Sequence, residues 1–358
     1  MGFLALVFAL LIDQGRNLPI RVWTAEQLEQ LADRVRRLTD IGGARDGWKA
    51  WGLMMLAAGI AAFALNALAA KAHLLLQFAL HVAVLYLLVG FRRFSAPFSA
   101  IQRAFAEGDA SRAFVILQGW LDGRDMDDAA PLAPGAPAEE IDTSAVCRQA
   151  IDHALIASHR HVFGPLIAYL LLPGILGPVL YRVAEVMQQR WRQPAESAPG
   201  DRLSIEHSER HALAAEQGFR WLDWIPVRLN AAGLTVVGNF EDAVFCWRGA
   251  VAASSAAGAA SGAGSWGAAT VTAGERSAAR SAPGDESRAI LIATASGALG
   301  LRLADPVLEG QWVSQGFEWQ GSPPDPSGLR SAVGLVWRNA VLWVSLFALL
   351  TMAGWLGR

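Results

Sequence analysis

Charged residues are scarce in this chain, because Asp, Glu, Lys and Arg make up only 17% of its 358 residues, whereas soluble domains average about 25%. Lysine is nearly absent and occurs only at Lys49 and Lys71. The net charge of −2 excludes the strongly positive overall field that attracts nucleic acid. We therefore predict no nucleic-acid partner. The low charge indicates a class of protein that exposes little charged surface.

Cysteine is equally scarce, with only Cys147 and Cys246. Two isolated cysteines exclude a disulfide framework and the standard zinc spacings. The glycine-dependent signatures of phosphate loops, dinucleotide sites and serine hydrolases are missing as well. These absences predict no resident metal, and no motif of this kind assigns a cofactor.

Long hydrophobic runs are what the chain does have, with 53% hydrophobic residues and a mean hydropathy of +0.29. A transmembrane helix needs roughly 20 mainly apolar residues, and inside lipid only internally hydrogen-bonded segments such as helices are stable. We predict an all-α polytopic membrane protein with about 4–6 membrane helices plus cytoplasmic amphipathic helices. A shorter block at the N-terminus, Met1–Ile12, is expected to be an uncleaved membrane segment. The four uncharged runs are Trp51–Ala70, Ala72–Phe91, His161–Tyr181 and Asn339–Gly357.

The polar segments between these runs set the predicted orientation. Asp13–Lys49 carries seven basic residues, which predicts a cytoplasmic loop under the positive-inside rule. Within it, Thr24–Leu38 has the apolar spacing of an amphipathic helix. Residues 92–160 form a second cytoplasmic region, in which Ser99–Leu121 reads as two helices broken at Gly108-Asp109.

The third apolar run is interrupted by prolines and glycines, including Pro165 and Pro173-Gly174. Proline removes a helical hydrogen bond, so this run is predicted to be either a kinked crossing or a re-entrant hairpin. Ile225–Phe245 is predicted to be a span or a helix packed on the membrane domain, and Ala252–Pro283 a flexible loop. The predicted segments of the chain are 1–98, 99–160, 161–251, 252–288 and 289–358.

Six residues are candidates for ligand binding. Ser158, His159, Arg160 and His161 stand at the start of the interrupted run, where arginine would bind an anion or phosphate. The alternative is a polar membrane boundary. Asp223 and Arg228 flank Pro226, either as a structural linkage at a helix start or as part of a ligand site, because charges near membrane depth usually pair or line a cavity.

Other histidines and cysteines have spacings that fit a metal site poorly. Cys147 and His153 do not share a helix face well with each other. His207 and His211 are four residues apart, but they lack the order of a zinc protease motif. We expect a solvated helix face for this pair.

Several motifs, read in order, resemble the CobD/CbiB superfamily of inner-membrane proteins, which includes the AmpE proteins. They run in family order from about residue 100 to 306, and each one alone is modest. Leu222–Leu229 is similar to "IPARL" of the synthases and to "LDWVPVRL" of AmpE. The other matching stretches are Phe105–Ala113, Gly123–Asp125, Val162–Leu166, Gly177–Arg182 and Ser296–Leu303.

The resemblance implies a multi-pass protein of the bacterial inner membrane, and it leaves two functions open. The synthase branch forms an amide bond in cobalamin biosynthesis, joining adenosylcobyric acid to an aminopropanol unit with ATP and Mg²⁺. AmpE proteins are signalling modulators tied to β-lactamase induction. This chain departs from the synthase pattern at Ala157–His161, at Val183–Met187 and at Ser287–Leu291, where polar family runs are replaced. The departures favour an accessory or signalling protein over an active adenosylcobinamide-phosphate synthase.

Overall fold

The computed structural model describes residues 2–15, 20–39, 43, 45–123, 142–197, 202–263, 285–304, 309–310, 313, 319 and 321–356. Over these residues the regular structure is helical, apart from an isolated parallel bridge between Leu301 and Ser322. The predicted all-α class is therefore confirmed. The helices are α1 (Gly2–Gly15), α2 (Ile20–Thr39), α3 (Asp46–Ala72), α4 (Leu74–Leu88), α5 (Phe91–Ala106), α6 (Ala110–Leu121), α7 (Thr143–Ser158), α8 (Gly164–Leu171), α9 (Leu176–Ser197), α10 (Arg202–Val237), α11 (Phe240–Ala263), α12 (Asp285–Leu299) and α13 (Pro326–Leu356).

Four helical stretches are long and apolar enough to cross a membrane. In Asp46–Ala72, Leu74–Ala106 and Pro326–Gly354 only 17% to 28% of the most apolar window is buried, whereas in Thr143–Leu171 the buried share is 72%. A helix that exposes large apolar side chains all round is typical of a lipid-facing span. Thr143–Leu171 is instead shielded by protein. Polar groups at membrane depth are tolerated in such a protected position.

The predicted run His161–Tyr181 is not one helix, so of its two predicted alternatives the kinked crossing is wrong. Helix α8 ends at Leu171, and α9 begins at Leu176 after a turn in which Gly174 has φ of +65°. A Cβ at Gly177 would lie 2.0 Å from the carbonyl oxygen of Ala168, so α8 and α9 form a tight hairpin. This geometry matches the predicted hairpin. The first helix ends here because proline and a left-handed glycine cannot continue it.

Two other predicted segments need correction. Ile225–Phe245 is divided between α10 and α11 at Gly238-Asn239, where the Asn239 amide donates to the Ala298 carbonyl and its side chain binds Asp242. The predicted flexible loop Ala252–Pro283 is helical as far as Ala263, since alanine favours helix more than any other residue. Residues 264–284 lie outside the described part of the chain, as do Arg124-Asp125 and the predicted loop Ala129–Ala138.

The chain forms two compact units, of which the first consists of residues 1–91, 160–226 and 346–358. Its core includes Trp191, Met187 and Ala50, with Ala32 of α2 and Ala215 of α10 packed among them. The predicted amphipathic helix is present as α2 and packs through this apolar face. Ala32, Leu28 and Val35 pack α2 on this core, whereas Leu31 and Leu38 of the predicted apolar face are 46% and 73% exposed.

The second unit consists of residues 92–159 and 227–345. The predicted break between two helices lies where α5 ends at Ala106 and α6 begins at Ala110. Gly108 has φ of +79° there, and the Asp109 side chain caps α6 by accepting from the Arg112 amide at 2.8 Å. A Cβ at Gly297 would lie 2.3 Å from the Asp242 carbonyl oxygen, so α11 and α12 cross at close range.

Candidate functional site

The chain is wound as a π-helix over His159–Phe163, between α7 and α8. Pro165 explains part of this geometry, because it has no N–H to donate to the carbonyl four residues earlier. The freed carbonyl of His161 accepts instead from the Gly90 amide at 2.9 Å. Segments of π-helix are frequent at functional sites, and this one carries three of the six candidate residues.

In the first unit, Arg182 and Glu185 of α9 form a buried ion pair. The Arg182 Nη1 atom donates to Glu185 Oε2 at 2.5 Å, and Gln189 donates to Oε1 at 3.2 Å. The exposed fraction of the side chain is 11% for Arg182 and 0% for Glu185. Charges this deeply buried are stable only when they are paired and hydrogen-bonded.

His161 adds a third member to this pair. Its Nδ1 atom lies 3.1 Å from Arg182 Nη1 and 3.8 Å from Glu185 Oε1. Since arginine can only donate, the shorter contact requires that Nδ1 accept, which assigns a neutral imidazole with its proton on Nε2. Protonation of His161 would replace this contact by donation from Nδ1 to Glu185.

Asp223 of α10 lies in the same unit and is 1% exposed. It accepts from the Tyr181 hydroxyl at 2.8 Å, and a Cβ at Gly164 would lie 2.2 Å from that hydroxyl. The Tyr181 ring packs edge-on against Phe219 at 5.4 Å, and the Arg160 guanidinium lies 5.6 Å from the centre of the same Phe219 ring. Glu185, Arg160 and Asp223 all lie close enough to Tyr181 to act on it electrostatically, so these contacts form one charged cluster. We call this group the α9 cluster. Its members are Arg160, His161, Tyr181, Arg182, Glu185 and Asp223.

In the second unit, His159 belongs to a different network. Asn339 Nδ2 donates to Asn230 Oδ1 at 2.7 Å, and Asn230 Nδ2 lies 3.1 Å from His159 Nδ1. Because the Asn230 amide nitrogen donates, His159 Nδ1 accepts and its proton stays on Nε2. Ser158 is satisfied within its own helix by the Leu155 carbonyl at 2.8 Å.

The contacts described for the six predicted site residues fall in two units. Arg160, His161 and Asp223 join the α9 cluster, and Ser158 and His159 belong to the second unit. Arg228 forms an ion pair with Glu286 at 2.8 Å. The helix start predicted at Pro226 is wrong, because α10 runs without interruption through that residue, and the Asp223–Arg228 linkage stays a prediction.

The histidine pair on α10 also differs from its prediction. His211 is 2% exposed and packs edge-on against the Trp191 ring at 5.6 Å, so this part of α10 is not a solvated face. The side chain of His207 lies outside the described residues. The i, i+4 spacing gave no indication of burial because the glutamates beside both histidines suggested a solvated surface.

Sequence reasoning missed Glu185, Arg182, Asn230 and Asn339 as members of polar networks. Arg182 and Glu185 are spaced i, i+3, which places them on one helix face, and this was the available signal. The two asparagines have no such signal, since the residues that meet are 109 positions apart.

An ATP and Mg²⁺ site of the synthase type needs several oxygen ligands facing a cavity. Within the described ranges no group of three His, Cys, Asp or Glu side chains is arranged to hold a metal ion. Glu185 and Asp223 are both fully buried and bind protein donors. The residues of the α9 cluster thus do not fit a metal–nucleotide site.

Two curated proteins are similar to this chain over nearly its whole length. One, from Chromobacterium violaceum, is 27% identical over 348 residues, which cover 96% of this chain and 95% of the relative. The other, from Stutzerimonas stutzeri, is 24% identical over 362 residues, which cover 99% and 98%. Both carry the name cobalamin biosynthesis protein CobD. No family model matches the chain, and no solved structure matches it.

Proposed function

We propose that this chain, whose full-length similarity to two CobD proteins supports its membership of the CobD/CbiB family, is an accessory or signalling protein. It resides in the bacterial inner membrane as a multi-pass protein, with the lipid bilayer as its first partner. The main support for this proposal comes from Glu185 and Asp223, the two buried carboxylates of the α9 cluster. Both are committed to internal hydrogen bonds.

The argument rests on what a synthase would need from these carboxylates. Mg²⁺ retains several waters and takes carboxylate oxygens together with the substrate phosphates. Glu185, at 0% exposed, would have to leave Arg182, and that arginine would then be a buried charge without its partner. Such a loss costs about 3–5 kcal/mol, so the cluster serves better as a fixed structural core.

Arg160 gives the α9 cluster its capacity for a small anionic ligand. Its side chain is half-buried, and its guanidinium carbon lies 5.6 Å from the centre of the Phe219 ring. A planar arginine fork matches phosphate geometry. In this proposal a phosphate-bearing small molecule binds at Arg160 and reports to a protein partner, as expected for an AmpE-like role.

The second candidate is the adenosylcobinamide-phosphate synthase. It is favoured by the similarity, since both relatives are named for cobalamin biosynthesis and match almost end to end. It would require ATP, Mg²⁺ and a ligand set different from the α9 cluster.

Growth rescue separates the two candidates. The chain is expressed in a bacterium that lacks its cobinamide-phosphate synthase, on cobyric acid and on medium where growth requires cobalamin. The Chromobacterium violaceum relative serves as the reference chain, and an empty vector gives the baseline. We expect no rescue although the protein is in the membrane fraction, and rescue by this chain would overturn the proposal.

A second measurement tests the signalling role directly. Deletion of the gene in its own host is expected to leave growth without added cobalamin unchanged and to alter β-lactamase induction by a β-lactam. A deletion strain that requires cobalamin and induces β-lactamase normally would contradict the proposal. Complementation with the Arg160→Gln variant should fail to restore induction if the anion site is needed.

A further inference from the structure

Helices α3 and α10 run side by side in the same direction within the first unit. A Cβ at Gly47 would lie 2.6 Å from the Arg210 carbonyl oxygen, and one at Gly218 would lie 2.3 Å from the Trp51 ring. Residue numbers thus increase together along the two helices. Wherever α3 passes from water into lipid, α10 makes the same passage beside it.

The point of this passage on α3 is marked by its side chains. Lys49, in the first turn, has a side chain that is 66% exposed. The following turns expose Leu53, Leu56 and Ile60 by 52% to 63%, as expected for a surface in hydrocarbon. Tryptophan prefers the boundary between these regions, and Trp48 occupies it with its ring stacked on Trp221 of α10 at 5.1 Å and 25°.

The outward face of α10 changes character at the same level. Gln217 is exposed, and the next turns expose Trp221 by 65%, Trp224 by 51% and Ile225 by 45%. Large exposed apolar patches mark interaction sites. This patch continues the lipid-facing surface of α3, so the same lipid covers both.

We infer that Trp48, Trp221, Trp224 and Ile225, the tryptophan surface, lie in the headgroup–acyl boundary of the leaflet that α3 enters. The partner is the phospholipid bilayer, and α10 is held in it without being a span of the transmembrane type. Asp223, on the protected side of the same turn, is then at the depth of the lipid headgroups. A ligand of the α9 cluster would be reached from the membrane interface.

Spin labels measure this depth directly. Single cysteines replace Gln217, Trp224 or Ile225 in the full chain, each carrying a nitroxide, and the protein is placed in nanodiscs of phosphatidylcholine and phosphatidylglycerol. Collisions with a water-soluble nickel chelate and with oxygen report the depth. The unsubstituted chain gives the background, since both native cysteines are buried.

We expect the labels at 224 and 225 to lie up to about 12 Å deeper than the label at 217, because an α-helix rises about 1.5 Å per residue. Reference labels at Lys49→Cys and Leu56→Cys on α3 give the headgroup and hydrocarbon limits, and both test labels should fall between them. Equal nickel access at 217, 224 and 225 would overturn the inference and assign the surface to a soluble partner. Two test positions are used so that a folding failure of one variant still leaves a result.

Discussion

Removal of the negative charge at Glu185 tests the α9 cluster most directly. Glu185→Gln keeps the side-chain volume and one acceptor for Arg182, so the change isolates the charge. The pair is separated by 2.5 Å, with side chains 11% and 0% exposed. Breaking a pair buried to this degree leaves an uncompensated charge and costs about 3–5 kcal/mol in the free energy of unfolding.

The measurement is an SDS titration in mixed micelles, with helical circular dichroism as the signal. Glu107→Gln is the matched control, because Glu107 pairs with Arg112 at 2.8 Å while both side chains are 58% to 60% exposed, and exposed pairs contribute only about 0–1 kcal/mol. The double change of Arg182→Met with Glu185→Leu should recover most of the loss, since a buried pair can be replaced by apolar residues at little cost. The reasoning is refuted if Glu185→Gln and Glu107→Gln reduce stability equally.

Three further predictions concern packing, the buried hydroxyl and a thiol. Tyr181→Phe should destabilise the protein by about 1–3 kcal/mol in the same titration, because Asp223 loses a buried donor, and an unchanged midpoint would contradict the assigned bond. Gly177→Ala should lower the folded yield in size-exclusion chromatography and cost up to ~3 kcal/mol through overpacking, whereas Gly334→Ala, with open space at its Cβ, should behave like the unsubstituted chain. Burial and the nearby Asp242 carboxylate raise the pKa of Cys246 to about 12, so at pH 8 only about one thiol in 10,000 is the reactive thiolate. Maleimide labelling of the folded protein should therefore be negligible at pH 8 and rise only toward pH 12. Rapid labelling at pH 8 would show that the Cys246 site is open.

Much of the helical architecture could be predicted from the sequence, because hydrophobic runs report on burial in lipid through composition alone. Trp51–Ala70 lies inside α3, and Thr24–Leu38 lies inside α2. These segments are encoded locally, by run length and by apolar spacing. In the run His161–Tyr181 the prolines and glycines predicted a break but left a kinked crossing and a hairpin open, since the choice depends on how Gly177 packs on α8.

The contacts of the candidate site residues could not be predicted from the sequence, for a related reason. Sequence proximity grouped His159, Arg160 and His161, but it did not indicate that His159 would contact Asn230 and that His161 would contact Arg182. Polar partners are chosen by the tertiary fold: Asp223 meets Tyr181, 42 positions away, and Arg228 meets Glu286, 58 positions away. A single sequence carries no local record of such pairings.

The first helix has a consequence for how the protein is made. Asp13 is 2% exposed and accepts from the Phe91 amide at 3.0 Å, across a separation of 78 residues, and this contact caps the start of α5. At a synthesis rate of about 5–20 residues per second, the carboxylate waits roughly 4–16 s for its partner to be made. Because α1 is made before α5, the start of α5 receives this cap only from a helix that already exists when Phe91 is added.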